Sequence, residues 1–251
     1  MVHFVGAGSG AADLITVRGA RLLKEADVVI YAGSLVNPAL LEYTHPGCKI
    51  YNSAEMTLEQ VIEVMRSAEA EGKTTVRLHT GDPSIYGAVR EQFDLLKDLG
   101  IDYDVTPGVS AFCGAAAALR VEYTLPDVSQ TVIISRAAGR TPVPERESIR
   151  SLAQHGSTMI LFLSTGLTET LQRELLAGGY GKDTPVAVIY KATWPDEKQL
   201  FCTVGTLHES VKKSGLTKTA LIIVGNCLEG EYGRSKLYDP TFTTEFREAT
   251  K

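Results

Sequence analysis

Short apolar runs alternate with amphipathic stretches along the first half of the chain. Runs rich in β-branched residues predict five strands, at residues 2–6, 27–31, 49–52, 74–79 and 103–106. Between them, apolar residues recur at helical spacing and predict helices over residues 13–26, 57–71, 84–99 and 109–119. Thr57, three residues before Gln60, is typical of a helix start, and Gly72 and Gly100 are typical of helix ends. This alternation predicts a mainly parallel sheet with helices on both faces.

The pattern changes beyond residue 119. Residues 120–130 are polar, and the predicted strands that follow lie at residues 131–135, 158–163, 186–190, 199–204 and 220–225. Helices are predicted only near residues 146–154, 168–177 and 207–214, so some strand pairs are expected to be antiparallel and the sheet mixed. The sequence therefore predicts an α/β protein with an N-terminal domain over residues 1–119, a C-terminal domain over 120–230 and a polar tail over 231–251.

Charge and cysteine content restrict the classes of function. The net charge is −5 and no block of Lys or Arg occurs, which disfavours a nucleic-acid or membrane-surface partner because both need a basic footprint. The four cysteines form no CxxC pair, which is typical of free thiols and predicts neither a metal site nor a disulfide framework: Cys48, Cys113, Cys202 and Cys227. The N-terminus lacks the pattern of a signal peptide, and no apolar run is long enough to span a bilayer. We therefore expect a cytoplasmic protein.

Three strands of the first half end in turns of small residues. These turns read GAGSGA from Gly6, HTGDPSIYG from His79 and TPGVSA from Thr106. Ligands of parallel sheets bind beyond the carboxyl ends of the strands, and glycine lets backbone amides approach them closely. Three such turns at one edge predict a cleft built largely from backbone.

The chemistry of these turns narrows the choice of ligand. GAGSGA fits the dinucleotide fingerprint, but that fingerprint also requires an acid at the end of the second strand, where Gly33 and Ser34 occur instead. No Lys-Ser or Lys-Thr pair follows any of the turns, which excludes a phosphate-binding P-loop. A glycine-rich cleft that carries Asp82 and no cationic group favours a neutral or cationic nucleoside, such as S-adenosylmethionine.

Seven segments occur in order along residues 2–228: GAGSGAADLIT, YAGSLV, HTGDPSIYG, TPGVSAF, TVIISRAAGRTPVPE, LFLSTG and VIYKATWPDEK. Together they resemble the tetrapyrrole (precorrin) methyltransferases, and most closely the members that methylate carbon 11 of precorrin-4 or cobalt-precorrin-4 in corrin-ring (cobalamin) biosynthesis. The resemblance implies two αβα domains, S-adenosylmethionine bound between them, a tetrapyrrole substrate above it and a homodimer. It does not settle whether the substrate already holds cobalt, although YKATWPDEK favours the cobalt-containing form.

The resemblance also implies roles for individual residues. By motif, the expected cofactor contacts are Ser9, Thr80, Gly81, Asp82, Ile85, Ser110, Ala111, Leu163, Ala192 and Ala220. Candidate substrate contacts are Ser34, Tyr86, Arg136, Arg140, Lys191 and Trp194. Members of the family need no nucleophile and base pair, because the cofactor carries the reactive methyl group. No catalytic residue is therefore assigned.

Two departures from the family pattern affect these expectations. The first turn of relatives usually reads G-x-G-P-G-D-P, and here Ser9, Ala11 and Ala12 predict a softer loop because proline stiffens such turns. Relatives often carry an acid after the second strand. Gly33 and Ser34 occupy that place here, so no catalytic role is transferred from that acid.

Simpler interpretations stay open for several residues. Asp82 could cap the predicted helix at residue 84, and Tyr86 could be a core aromatic. His79 is expected to be a partly buried histidine rather than a base. The cations at 136, 140 and 191 could be solvated, and Trp194 could pack within its loop.

Other functions also stay open. The chain could methylate another tetrapyrrole position, a diphthine precursor or ribosomal RNA, or it could be a nucleotide-sensing module that kept the fold without the activity.

Overall fold

The computed structural model describes residues 1–33 and 35–250, which divide into two compact units. The first unit comprises Met1–Ala118 together with Lys191–Glu197, and the second comprises Leu119–Tyr190 and the chain from Lys198 onward. The sequence predicted domain boundaries at residues 119 and 230, which place Lys191–Glu197 in the C-terminal domain. In the structure this segment belongs to the first unit instead.

The first unit holds a five-stranded parallel sheet. Its strands are β1 (Val2–Gly6), β2 (Val28–Tyr31), β3 (Lys49–Asn52), β4 (Thr75–His79) and β5 (Tyr103–Thr106). Their spatial order is β3-β2-β4-β1-β5, so β4, β1 and β5 are neighbours. The predicted strands and the parallel sheet are confirmed.

Helices cover both faces of this sheet: α1 (Val17–Glu25), α2 (Leu58–Ala70), α3 (Arg90–Asp98) and α4 (Ala111–Leu119) are its helices. Alternate residues of a strand point to opposite faces, and the core divides accordingly. Val5 packs in one cluster with Leu23 of α1, whereas Phe4 packs in another with Met65 of α2 and Leu96 of α3. The capping box of Thr57 and Gln60 at the start of α2 is also confirmed.

The helix predicted over residues 84–99 begins six residues late, so that part of the prediction is wrong. Tyr86 and Ala88 have φ angles of 55° and 48°, in the left-handed region that a right-handed helix excludes. The helix predicted from residue 13 likewise begins at Val17, where the Thr16 hydroxyl accepts a hydrogen bond from the Gly19 amide (3.1 Å). In both cases turn geometry replaces the first helical residues.

The second unit holds a five-stranded mixed sheet, as predicted. Its strands are β6 (Val132–Arg136), β7 (Thr158–Phe162), β8 (Pro185–Tyr190), β9 (Lys198–Thr203) and β10 (Ala220–Val224). Their order is β6-β7-β10-β8-β9, with β6 and β7 parallel and the other neighbours antiparallel. The helices α5 (Ile149–Ala153), α6 (Thr168–Ala177) and α7 (Leu207–Ser214) share one apolar cluster with the strands β7, β8 and β10.

Cys48, Cys113, Cys202 and Cys227 are free thiols, and burial raises the pKa of Cys202 to about 11. Within residues 1–33 and 35–250, no helix is long and apolar enough to cross a bilayer. The same residues contain no group of three or more His, Cys, Asp and Glu side chains that could hold a metal ion.

Strand β4 carries two buried basic side chains on the face that it shares with Phe4. Arg77 donates to the Gln92 Oε1 atom (3.2 Å) and to the Ile30 carbonyl (3.1 Å). His79 stacks on Phe4 with ring centroids 5.8 Å apart, and its Nε2 atom has no partner. Burial, and secondly the Arg77 charge, lowers the pKa of His79 from 6.5 to about 3. The expectation of a partly buried histidine with satisfied hydrogen bonds is therefore wrong in its detail, since His79 is almost fully buried and its Nε2 atom has no partner.

His79 should make the stability of the protein depend on pH. The unfolded chain protonates this residue near pH 6.5, whereas the folded chain does so near pH 3. The free energy of unfolding therefore falls as the pH drops through this window, by up to about 1.4 kcal/mol per pH unit. In urea titrations between pH 7 and 4.5, we expect His79→Leu to show a shallower loss of stability than the wild type.

The exposed His155 offers a matched control. His155→Leu should keep the pH dependence of the wild type, because its side chain already lies in solvent. Parallel pH profiles for wild type and His79→Leu would contradict the assignment of His79 as a neutral buried group.

Candidate functional site

The three glycine turns meet at the carboxyl ends of β4, β1 and β5. The Gly8 amide donates to the Gly81 carbonyl (3.3 Å), and the Gly81 amide donates to the Gly8 carbonyl (3.0 Å). A Cβ atom on Gly6 would lie 2.6 Å from both the Gly108 Cα and the Gly81 carbonyl oxygen. The turns are therefore in backbone contact, and a side chain at position 6 would push them apart.

Asp82 links the second turn to the third. Its Oδ2 atom accepts from the Gly108 amide (2.9 Å), and its Oδ1 atom accepts from the Ser84 amide (2.8 Å) and the Ser84 hydroxyl. Burial acts to raise the pKa of Asp82, but hydrogen bonds from Ser84 and Gly108 outweigh it and hold the pKa below its ordinary value. The carboxylate is thus ionised at neutral pH. It does not cap α3, which begins at Arg90, so that alternative is wrong.

Most of the expected cofactor residues of the first unit lie together. A Cβ atom on Gly81 would be 3.3 Å from the Ala111 amide nitrogen and 3.4 Å from the Ser110 Cα. Thr80 lies next to Gly81, and its buried hydroxyl has no hydrogen-bond partner. Buried polar groups without a partner are rare and often mark a place where a ligand or water completes the structure. Ile85 lies further along the same turn and is half-buried.

The first turn is held by side chains that the sequence analysis did not select. Thr193 accepts a hydrogen bond from the Ala11 amide (3.0 Å), and its hydroxyl lies 3.3 Å from the Ser9 hydroxyl. The Asn37 side-chain amide donates to the Gly10 carbonyl (2.9 Å). The turn expected to be soft without a proline thus has three side-chain hydrogen bonds. The only sequence signal for Thr193 was its place inside the YKATWPDEK segment. Its hydrogen-bond partners are more than 180 residues away, so local sequence patterns could not reveal the contact.

Ala192 and Trp194 also lie against this turn. A Cβ atom on Gly10 would be 2.6 Å from the Ala192 carbonyl oxygen and would collide with the Trp194 ring. The Lys191 ammonium lies 4.9 Å from the centre of the Trp194 ring and donates to Asp196 (2.7 Å). Lys191 and Trp194 therefore form one local cluster within the first unit.

In the second unit, Leu163 and Ala220 lie at the same sheet edge. The strands β7 and β10 are antiparallel neighbours, and Leu163 directly follows the end of β7 where Ala220 begins β10. Leu163 is 66% exposed and has a φ angle of 53°. An exposed leucine held in the left-handed region is unusual, and such strain is concentrated at functional sites.

The candidate substrate residues differ in what their side chains do. Arg136 donates to the carbonyls of Thr141 (3.2 Å) and Pro142 (2.8 Å), so its guanidinium holds its own loop. Arg140 directly precedes Thr141 in this loop, and its side chain is exposed. Tyr86 is 46% exposed, which excludes the core-aromatic alternative. Ser34 lies outside the described residues.

The chain matches one protein family over most of its length. Residues 1–208 match the tetrapyrrole (corrin/porphyrin) methylases. The chain belongs to this family. The matched range includes all three glycine turns.

Individual relatives narrow the comparison. The methylase is 55% identical to the cobalt-precorrin-4 C(11)-methyltransferase of Methanocaldococcus jannaschii, over 100% of this chain and 97% of the relative. It is 48% identical to a solved cobalamin biosynthetic enzyme, cobalt precorrin-4 methyltransferase, with a TM-score of 0.89 over 91% of this chain and 96% of that one. The uroporphyrin-III C-methyltransferase of Thermus thermophilus, solved with S-adenosyl homocysteine, is 27% identical, with a TM-score of 0.75 over 91% and 93% of the two chains. These neighbours confirm the predicted fold.

Because the glycine turns are in contact, an alanine at Gly6 should destabilise the protein more than an alanine at a glycine outside these turns. Gly6→Ala should lower the free energy of unfolding by about 3 kcal/mol, because its methyl group meets backbone that has little room to move. Gly72→Ala is the matched control in the same unit. Its Cβ atom meets nothing within 4 Å, and only the left-handed φ of 68° opposes it, at about 1 kcal/mol. Urea unfolding of both variants checks the difference, and equal losses would contradict the packing of the turns.

Proposed function

We propose that this chain transfers a methyl group from S-adenosylmethionine to carbon 11 of a precorrin-4 tetrapyrrole during synthesis of the corrin ring of cobalamin. The observation that carries the proposal is the 55% identity along the whole chain with a relative named for that reaction. The alternative, methylation at another tetrapyrrole position, is less well supported because the uroporphyrin-III enzyme is only 27% identical.

The chemistry of the three turns fits this cofactor. The turns contain no Lys or Arg that could neutralise a phosphate group. S-adenosylmethionine has no phosphate group, so it needs no such cation. Within the second turn, Asp82 supplies an ionised carboxylate, which suits a ligand with a positive charge. Thr80, Gly81, Ser110 and Ala111 present one contiguous surface beside it. We therefore assign these residues and Asp82 to the cofactor.

The remaining cofactor assignments have separate support. Ser9 holds the first turn through Thr193, and Ala192 packs on Gly10 in that turn. In the second unit, Leu163 offers an exposed apolar side chain directly after β7, and Ala220 begins β10, the antiparallel neighbour of β7. We propose Leu163 as the residue that packs on the adenine ring.

The protein chiefly has to hold and align the reactants. When bound, S-adenosylmethionine supplies a methyl group on a positively charged sulfur, and the electron-rich macrocycle supplies the attacking carbon. Alignment of two reactants can contribute several kcal/mol, and up to about 10 in favourable cases. The rigid backbone contact of the glycine turns is suited to such alignment, and no side chain is assigned as a base.

The substrate side is assigned from exposure and charge. Corrin precursors carry many carboxylates, which Arg binds with paired hydrogen bonds. Arg140 is exposed and is our candidate for this role, whereas Arg136 positions the loop that carries it. Tyr86 and the cluster of Lys191 and Trp194 are proposed as walls for the macrocycle.

The metal state, assembly and location are also proposals. We propose that the natural substrate holds cobalt, since both the 55% identical relative and the 48% identical structure are named for cobalt-precorrin-4. We further propose a homodimer, as the family resemblance implies, which light scattering during gel filtration would check. A cytoplasmic location agrees with the four free thiols.

Turnover with defined substrates tests the function. The purified chain is incubated with S-adenosylmethionine carrying a ¹³C-labelled methyl group and with cobalt-precorrin-4, precorrin-4 or uroporphyrinogen III. We expect the first two to gain one methyl group, placed on carbon 11 by NMR, with faster turnover of the cobalt complex. Methylation of uroporphyrinogen III alone would favour the alternative, and cofactor binding without any methylation would favour a sensing module.

Asp82 provides a test of the cofactor site. Asp82→Ala removes the acceptor of the Gly108 amide and the local negative charge, so we expect the Kd for S-adenosyl homocysteine to rise at least about tenfold. Asp98→Ala, at an exposed aspartate at the end of α3, is the control and should leave the Kd unchanged. Titration calorimetry and thermal melting are measured together. An unchanged Kd with a lowered melting temperature would show that Asp82 is purely structural.

A further inference from the structure

Thr193 has a backbone conformation that its residue type opposes. Its φ angle is 69°, in the left-handed region where a β-branched side chain is a genuine outlier. Hydrogen bonds hold it there from two directions: its amide donates to Glu197 (2.7 Å), and its hydroxyl accepts from the Ala11 amide (3.0 Å). Such strain persists only where the surroundings determine it, and it is concentrated at functional positions.

The neighbours of Thr193 enclose the first glycine turn. The Trp194 ring fills the space where a side chain on Gly10 would stand, and the Ser9 side chain fills the space beside Gly114 of α4. The Thr193 methyl carbon would also lie 3.4 Å from a Cβ atom on Gly114. The first turn is therefore packed between α4 and the segment Lys191–Glu197.

A short path of bonds connects Thr193 to the proposed cofactor residues. The Thr193 hydroxyl is bonded to Ala11 and neighbours Ser9, both in the first turn. Gly8 of that turn exchanges two backbone hydrogen bonds with Gly81. Residues 9–11 follow Gly8 directly, so we expect a change in their position to reach the turn that carries Thr80 and Asp82 through these two hydrogen bonds.

We propose that Thr193 is a positioning residue that sets the first glycine turn for cofactor binding, through its hydroxyl. The proposal rests on the assignment of S-adenosylmethionine to these turns. The proposal gives the segment Lys191–Glu197 a structural role in the site. Its backbone conformation directs the Thr193 hydroxyl towards the Ala11 amide and the Ser9 hydroxyl. Thr193 itself does not act on the reacting atoms.

Valine and serine separate the hydroxyl from the shape of the side chain. Thr193→Val keeps the branched shape and removes the acceptor, whereas Thr193→Ser keeps the hydroxyl and removes the methyl group. We expect Thr193→Val to raise the Kd for S-adenosyl homocysteine and the KM for S-adenosylmethionine about tenfold, with kcat at saturating cofactor within about twofold of wild type. Thr193→Ser should bind within about twofold of wild type.

A stability control excludes a general loosening of the fold. Thr57→Val removes the N-cap of α2 and should lower the melting temperature without altering the Kd. A wild-type Kd for Thr193→Val would overturn the proposal. Equal weakening by the valine and serine variants would also overturn it, because the hydroxyl would then not be the cause.

Hydrogen exchange gives a readout that does not need the cofactor. In the free protein, amides of residues 8–11 should exchange faster in Thr193→Val than in wild type, while those of β1 stay unchanged. Unchanged exchange would overturn the positioning role. Faster exchange in a protein that binds no S-adenosyl homocysteine even as wild type would instead overturn the cofactor assignment, so the two failures are distinguishable.

Discussion

Backbone contact among Gly6, Gly81 and Gly108 is the constraint on which the candidate site depends. Parallel strands bring the carboxyl ends of β4, β1 and β5 to one edge, but the turns that follow can touch only if no side chain stands between them. Once they touch, backbone amides and carbonyls form the surface of the site. Asp82 then fixes the spacing of the second and third turns through the Gly108 amide.

This arrangement suits an enzyme whose reagent carries its own reactivity. A surface made from packed backbone has few internal rotations, so it holds a ligand in one geometry without a large loss of side-chain entropy. Asp82 adds an ionised carboxylate, and the turns contribute no cation. Alignment and charge are therefore provided by short turns, and the absence of a nucleophile and base pair in the sequence analysis has a physical reason.

The sequence predicted accurately the elements that depend on short-range interactions, and less accurately those that depend on contacts between distant residues. Strands such as β1 and β4 and the cap at Thr57 depend on residues within one turn or one strand, and they were predicted to within a residue. The start of α3 was placed at residue 84 instead of Arg90 because the left-handed conformations of Tyr86 and Ala88 have no local signature. Arg136 could be selected as a cation, but its use on the carbonyls of its own loop could not.

The sequence by itself determined the fold class, the family and the three glycine turns, because apolar periodicity and ordered motifs are local properties of the chain. Only the tertiary structure decided that the turns touch, that Asp82 joins two of them and that Thr193 holds the first. Each of these contacts joins residues distant in sequence, and their partners are mostly backbone groups that every residue carries. The residue types therefore gave no indication of these contacts, which only the folded structure reveals.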